Sequence, residues 1–448
     1  MVWNLRSDRV VGVLWRLAIL LLPWQIRWFS EGPTVIPPVA TGGINGWPWE
    51  QGRLAVYASW IVMAATIVVT SYKLQVSSDE NRTTRYGLVG LVLLAVPSLL
   101  TLSPRATLQF WLQVGLLAGF VASLVRLRVT REQLATWFVI SLVPHVLLAF
   151  WQWQTQIVIG TKWLGMSAQN SATLGVSVIE VMGQRILRVY GGFPHPNIFG
   201  GWLALAIPLR VWLISRGRSL ILNSLFLILF SSALVLTFAR GAWIACVVGL
   251  VLMIVLSRVD RGRGDCGAGG RGDLAPTDTR RVWAAMSLIV LVVGITAFQT
   301  RDLIWTRLQT TPRLEAKSLD ERGQGLENGW RLFVEHPLFG VGPGSAILGL
   351  SQESPDKTKT PVPPHLVPLL ILDEVGIIGL IGLIGLIGFV WRRPFAFGPV
   401  AVLLALGLFD HYPWSLWSGQ ALTAMAVALC LLPEENLKSP PDERVSVR

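Results

Sequence analysis

The feature that most constrains this chain is a series of long apolar stretches separated by short basic turns. A helix needs about 20 mainly apolar residues to cross a hydrocarbon core of roughly 30 Å. The chain has 52% hydrophobic and 14% charged residues, whereas about a quarter of the residues in soluble proteins are charged. We therefore predict an all-α, polytopic transmembrane helical bundle of about twelve spans. The predicted spans lie near residues 10–29, 54–72, 87–102, 106–125, 134–156, 197–215, 219–238, 241–257, 282–299, 366–390, 395–409 and 416–432.

The positions of lysine and arginine predict the orientation of these spans. Basic residues are enriched in short cytoplasmic loops, and here they cluster between alternate spans, as at residues 126–131 and 258–263. This pattern puts both termini in the cytoplasm and the long polar insert, residues 300–364, on the periplasmic side. The formal charge of +12 is spread over these clusters. We therefore expect the lipid bilayer as a partner, and no nucleic acid.

Three further segments differ from the spans in character. Residues 157–194 alternate weakly between apolar and polar, which predicts a short hairpin or an interfacial helix. Residues 260–281 are rich in Gly, Arg and Asp, which is typical of a disordered linker. Glycines recur every three residues from Gly376 to Gly388, a pattern that favours close packing by another helix. We expect no chemistry from the linker or from the glycine repeat.

Two residue types could carry chemistry at the membrane boundary. Arg240 stands between two apolar spans, where a charge is costly unless it is paired, so it is either a functional arginine or one that snorkels from a helix end. A guanidinium group suits phosphate because its planar fork donates two parallel hydrogen bonds. His365 lies at the start of a predicted span, where it could act as a general base or be only an interfacial polar residue. The histidine spacings do not match a zinc motif, so the sequence predicts no metal and no cofactor.

Four segments in order resemble one family. FPHPNIFGG is similar to a G-H-P-N-x-x-G segment, and LTFARGAWIA to a T-x-S-R-G-x-W segment in which Ala239 replaces the usual Ser. Arg322 followed by HPLFGVGPG resembles R…H-P-L-x-G-x-G, and HLVPLLILDEVGIIGL resembles the H-n-x-x-L…E-x-G-x-x-G stretch that comes next. On these motifs the chain is identified as a member of the O-antigen ligase and polymerase superfamily of bacterial membrane proteins. The resemblance covers roughly residues 195–388, with the pair Asp410-His411 beyond it.

The resemblance implies a GT-C-like glycosyltransferase at the periplasmic face of the bacterial inner (plasma) membrane. Its donor would be a glycan linked to undecaprenyl diphosphate, and transfer would be metal-independent and inverting. The acceptor would be a glycolipid of the lipid A core type in a ligase, or another carrier-linked glycan in a polymerase. Arg240 and Arg322 would bind the diphosphate, and His365 would deprotonate the acceptor hydroxyl. Other motif positions would support the site: His195, Asn197, His336, Gly340, Gly342, Glu374, Asp410 and His411.

The resemblance also suggests a division of the chain and an alternative function. We expect N-terminal spans over residues 1–196, an O-antigen ligase-like membrane domain over 197–432 with short helices in its periplasmic loop, 300–364, and a cytoplasmic tail over 433–448. A cyanobacterial branch of the superfamily, assigned as inorganic-carbon transporters, is similar over the Arg-Gly and Pro-Leu-x-Gly segments. Bicarbonate transport is therefore the alternative, and a non-catalytic membrane scaffold is a third possibility. That branch lacks a histidine matching His365, which favours the transferase.

Overall fold

The computed structural model describes residues 2–29, 54–73, 91–217, 220–264, 279–309, 313–353, 361–390 and 397–434. This part of the chain is mostly helical, as predicted. The helices are α1 (Val2–Leu21), α2 (Ala58–Lys73), α3 (Pro104–Arg126), α4 (Arg131–Thr155), α5 (Pro196–Ser215), α6 (Leu220–Leu236), α7 (Arg240–Gly264), α8 (Thr279–Gln299), α9 (Arg301–Leu308), α10 (Arg313–Glu335), α11 (Ala346–Glu353), α12 (Val367–Val390), α13 (Phe397–Gly407), α14 (Tyr412–Ser415) and α15 (Trp417–Leu431). A 3₁₀ helix, Val96–Leu100, precedes α3.

Six short strands pair in three antiparallel sheets. They are β1 (Arg27–Phe29) with β2 (Ala55–Tyr57), β3 (Ile157–Val158) with β4 (Gln169–Asn170), and β5 (Val178–Val181) with β6 (Gln184–Leu187). The β5–β6 pair confirms the hairpin expected within residues 157–194. The linker prediction was wrong at residues 260–264, which extend α7, and at residues 279–281, which begin α8. Residues 265–278 lie outside the described chain.

Among the described residues, five helices are long and apolar enough to cross a membrane, namely residues 104–126, 131–155, 196–215, 279–299 and 367–388. Six shorter apolar helices coincide with other predicted spans. The count of twelve therefore stays a prediction. The first predicted span is wrong at its end, because α1 ends at Leu21 and residues 27–29 pair as a strand.

Helix α5 is the centre of the bundle, because it is apolar on all sides and buried along almost its whole length. Its two glycines allow neighbours to approach closely. A Cβ on Gly200 would lie 2.9 Å from the Cβ of Ala242, and one on Gly201 would lie 1.8 Å from the hydroxyl of Tyr412. The start of α5 is thereby brought against the start of α7 and the start of α14.

The polar insert folds into three helices rather than only short ones. Helices α9 and α11 have eight residues each, but α10 has 23. The segment after α10 docks on α12 through backbone hydrogen bonds, in which Ile377 donates to Pro337 at 3.0 Å and Val341 donates to Asp373 at 2.9 Å. Helix α12 is broken at Gly376, whose φ of 61° favours glycine. Gly376 allows a close approach, as predicted, but the segment that approaches is this loop and not another helix.

Candidate active site

A cavity of about 240 Å³ lies between the starts of α5 and α7, helix α10, and the turn before α14. Its polar lining comes from Asn197, Arg240, Arg307, Arg322 and Asp410. Apolar side chains complete the wall: Ile244, Leu319, Leu406 and Phe409. Cationic groups beside an apolar wall are suited to an amphipathic anion, one with a charged head and a hydrocarbon tail.

Three arginines and one glutamate form what we call the cavity cluster: Arg240, Arg307, Glu315 and Arg322. Arg307 donates to the Glu315 carboxylate and, at 3.2 Å, to the carbonyl of Phe238. Arg240 donates to the carbonyl of Arg307 at 2.9 Å. Its Nη2 is 3.5 Å from Oε2 of Glu315, which makes a looser ion pair. Glu315 therefore neutralises Arg307 closely and Arg240 loosely.

Arg322 has no ion pair or hydrogen bond within the described chain, although it lines the cavity. It shares one face of α10 with Glu315 and Leu319, since residues spaced by four and then three positions lie on the same side of a helix. The cavity cluster thus has more guanidinium than carboxylate groups. An anionic ligand would supply the missing negative charge.

Asp410 connects His365 to this cavity. Its Oδ1 lies 3.4 Å from Nδ1 of His365, and it also accepts the backbone N–H of His411 at 2.8 Å. The rings of His365 and His411 have centroids 5.1 Å apart. Burial by itself would raise the pKa of Asp410, but the imidazoles of His365 and His411 outweigh burial and lower the pKa below its usual value. The carboxylate is therefore ionised and suited to hold an N–H of His365.

Arg188, which no sequence motif indicated, fixes the far side of Asp410. Asn197 donates from Nδ2 to Oδ2 of Asp410 at 2.8 Å, and its own Oδ1 accepts from Arg188 at 2.6 Å. Arg188 also donates to the carbonyl of Thr237 at 2.7 Å, just before the turn that carries Arg240. Burial lowers the pKa of Arg188 to about 9. A single buried side chain thus contacts both the carboxylate network and the turn that begins α7.

His195 has a structural place beside this network. It is the N-cap of α5, where Nδ1 accepts the backbone N–H of Asn197 at 3.1 Å and Nε2 lies 2.8 Å from the hydroxyl of Ser177. Because Nδ1 accepts, Nε2 carries the proton and donates to Ser177. Burial, followed by the charge of Arg188, lowers the pKa of His195 to about 3. The imidazole is therefore neutral and holds the start of α5.

The remaining motif residues organise the loop after α10 and do not line the cavity. Gly342 donates to the carbonyl of Glu374 at 2.8 Å, and the buried carboxylate of Glu374 accepts from the Trp414 indole at 2.7 Å. Gly340 and Gly342 have φ values of 62° and 98°, which favour glycine. His336 is exposed at the end of α10, where its carbonyl accepts from Gly340 at 3.0 Å.

Sequence reasoning missed Arg188, Arg307 and Glu315. Each takes part in ion pairs or hydrogen bonds between different elements, and local spacing does not record such contacts. One signal was available, the common face of Glu315, Leu319 and Arg322 on a helix. It could have indicated that α10 brings a carboxylate and a guanidinium group to the same place.

Comparison with known families matches part of the chain. A family model described as O-antigen ligase matches residues 225–384, which include Arg240, Arg322 and His365 but neither Asn197 nor Asp410. This match supports membership of the O-antigen ligase/polymerase superfamily and a function of the O-antigen ligase or polymerase type. Together with the apolar helices, it also supports an integral membrane protein. No curated protein matches the sequence.

Proposed function

We propose that this protein is a glycosyltransferase that moves a glycan from an undecaprenyl diphosphate carrier to an acceptor hydroxyl at the periplasmic face of the inner membrane. The observation that carries the proposal is one cavity in which Arg240 and Arg322 face Asp410, the carboxylate that contacts His365. The apolar wall beside Ile244 and Phe409 suits the prenyl chain of such a donor. Arg240 and Arg322 provide positive charge for its diphosphate.

The proposed reaction is a single inverting displacement. The acceptor oxygen bonds to the anomeric carbon while the bond from that carbon to the diphosphate oxygen breaks. Nε2 of His365 takes the hydroxyl proton, and the charge of Asp410, 3.4 Å from Nδ1, stabilises the imidazolium. Negative charge grows on the departing diphosphate, where the guanidinium groups of Arg240 and Arg322 stabilise it. This mechanism requires no metal and no cofactor.

The charges of the cavity favour this function over bicarbonate transport. Arg322 has no counter-ion in the described chain, and Arg240 has only a loose one in Glu315. Two such groups match the multiple charges of a diphosphate better than the single charge of bicarbonate. His365 beside the ionised Asp410 adds a base that transport of an anion does not need.

The test is transfer by the full chain in liposomes, with an oligosaccharide on undecaprenyl diphosphate as donor. We expect His365→Ala to lower the transfer rate by about 10²–10⁴-fold. His336→Ala is the matched control, because that histidine is exposed and lies outside the cavity. Undiminished transfer by both His365→Ala and Arg322→Ala would overturn the mechanism, and uptake of labelled bicarbonate would favour the transporter.

Ligase and polymerase differ in the acceptor, so the same assay separates them. We expect a single addition to a lipid A core glycolipid if the protein is a ligase. A ladder of products made from carrier-linked glycan alone would identify a polymerase. The arginine and histidine variants are expected to fail with either acceptor, since the donor chemistry is shared.

A further inference from the structure

His365, Asp410 and His411 form a group of metal-ligand type that sequence spacing did not reveal. Each offers one ligand atom, and these atoms all lie within 4.8 Å of one another. Nδ1 of His365 lies 3.4 Å from Oδ1 of Asp410, and this buried nitrogen has no hydrogen-bond partner of good geometry. Two ligands at about 2.1 Å from a tetrahedral zinc ion are separated by about 3.4 Å. The spacing of this pair therefore suits a transition metal.

Neighbouring side chains hold these residues by hydrogen bonds, as is usual for the ligands of a metal. Asn197 donates to the other oxygen of Asp410 at 2.8 Å, and Arg188 holds Asn197 at 2.6 Å. One ring nitrogen of His411 lies 2.6 Å from the hydroxyl of Ser415, which leaves its other nitrogen available to a metal. Asp410 borders the cavity, so water or a ligand could complete the coordination.

We propose that His365, Asp410 and His411 bind one divalent transition metal ion, such as Zn²⁺ or Co²⁺. The guanidinium groups at the same cavity repel cations, so the ligand bonds must supply the affinity. Imidazole nitrogens bind Zn²⁺ and Co²⁺ well, whereas Mg²⁺ and Ca²⁺ prefer several oxygen ligands. The site therefore selects transition metals over Mg²⁺ and Ca²⁺.

Metal binding and base catalysis exclude each other at His365. A metal on Nδ1 takes the lone pair of that nitrogen, and the proton of the neutral ring then sits on Nε2. In this tautomer Nε2 has no free lone pair, so it cannot take the proton from the hydroxyl group of the acceptor glycan. The bound metal therefore inhibits transfer, a consequence that rests on the proposed function, whereas metal binding itself does not.

The test is a Co²⁺ titration of the full chain, purified in detergent with a tag that contains no histidine. The Cys266→Ser background removes a thiol that could compete. We expect wild type and the control His336→Ala to develop a visible Co²⁺ absorption band with a stoichiometry of one ion per chain. Addition of Zn²⁺, but not of Mg²⁺, is expected to abolish the band.

Three variants remove one ligand each: His365→Ala, Asp410→Asn and His411→Ala. We expect each substitution to weaken Co²⁺ binding at least tenfold. A single variant that keeps the wild-type melting temperature, and is therefore folded, is enough to test the site. Unchanged binding by a folded His411→Ala protein, or no band in wild type, would overturn the site. Added Zn²⁺ should also abolish transfer by wild type, and chelation should restore it. Binding without this inhibition would refute the tautomer argument but leave the site intact.

Discussion

Two groups of charged residues, both made of arginine and glutamate, differ in how completely their charges are balanced. What we call the terminal clamp consists of Arg131, Glu132, Arg216 and Glu434. Glu434 accepts from Arg131 and, at 2.9 Å, from Arg216, while Glu132 lies 3.5 Å from Arg216. Two arginines meet two carboxylates there, whereas the cavity cluster has three arginines for Glu315. The clamp joins the ends of α4, α5 and α15, and the cavity cluster borders open space.

This difference separates a structural from a ligand-binding role. Charges withdrawn from water destabilise a protein unless partners compensate them. In the terminal clamp each arginine has a carboxylate from another element, so its charges serve to hold helix ends together. In the cavity cluster Arg322 has no partner in the described chain. Within the described residues its charge is left to solvent or to a bound anion.

The largest expected effect is the loss of activity when the unpaired arginine is removed. We expect Arg322→Ala to lower the transfer rate by about 10²-fold or more, because a charge that stabilises the leaving diphosphate is lost. Thermal stability should hardly change, since no ion pair is broken. Arg331→Ala on the same helix is the control, because Arg331 is exposed and pairs with Glu327. Equal transfer rates for Arg322→Ala and Arg331→Ala would contradict a ligand-binding role for the cavity cluster.

The terminal clamp should show the reverse behaviour. Glu434→Gln removes the carboxylate shared by Arg131 and Arg216. We expect a destabilisation of about 2 kcal/mol, less than the 3–5 kcal/mol for a fully buried pair, because Glu434 is 23% exposed. Transfer per folded molecule should stay at the wild-type level. Melting curves and rates measured on the same preparation check this, and a large fall in specific rate would contradict it.

Removal of the glutamate in the cavity cluster tests whether Glu315 competes with the donor for Arg240. In Glu315→Gln the loose contact with Arg240 is lost, which leaves that guanidinium group free for the donor. Since a partly exposed pair contributes about 0.2–1 kcal/mol, we expect the KM for the lipid diphosphate donor to fall by up to about fivefold. The melting temperature should fall too, because Arg307 loses its partner. A raised KM would mean that Glu315 only positions α10.

The smallest expected effect is a pH dependence of stability to which the buried histidines beside the cavity contribute. Burial lowers the pKa of His195 to about 3 and that of His411 to about 4, whereas an unfolded chain protonates histidine near 6.5. These neutral histidines therefore contribute stability above about pH 6.5, and this contribution is lost as the pH falls towards 4. We expect the melting temperature to decrease from pH 7.5 to pH 5.

His195→Asn tests the origin of this pH dependence. Asparagine can still cap α5, but it does not titrate. The variant should therefore show a flatter decrease in melting temperature between pH 7.5 and pH 5 than wild type. A slope as steep as that of wild type would assign the acid sensitivity to other groups.

The apolar periodicity of the sequence predicted the helices well, because a helix that crosses a membrane must satisfy its own backbone. It failed where a neighbour decides the backbone conformation. Gly376 belongs to a glycine repeat that suggests an uninterrupted helix, yet the loop at Leu338 occupies the place where its Cβ would lie. The sequence likewise gave no reason to expect a 23-residue helix within the polar insert.

The candidate site divides in the same way. The sequence alone pointed to Arg240, Arg322 and His365. Ionisable side chains at a membrane boundary are energetically costly, so their presence there indicates a function. Arg188, Arg307 and Glu315 could not be found in this way, since their importance lies in contacts between elements that are distant in sequence. The proximity of His365 to Asp410 is of the same kind, since the two residues are 45 positions apart in the sequence.

By itself, the sequence determined that this chain forms apolar helices with a polar insert. It also singled out Arg240, Arg322 and His365 as ionisable residues near the membrane boundary. Hydrophobicity and charge are properties of each residue, so they can be read without coordinates. Only the tertiary structure decided which charges are neutralised, as in the terminal clamp. It also decided which charges face a cavity with no counter-ion among the described residues, as Arg322 does. Neutralisation depends on distances of a few ångströms between separate elements, and packing alone sets those distances.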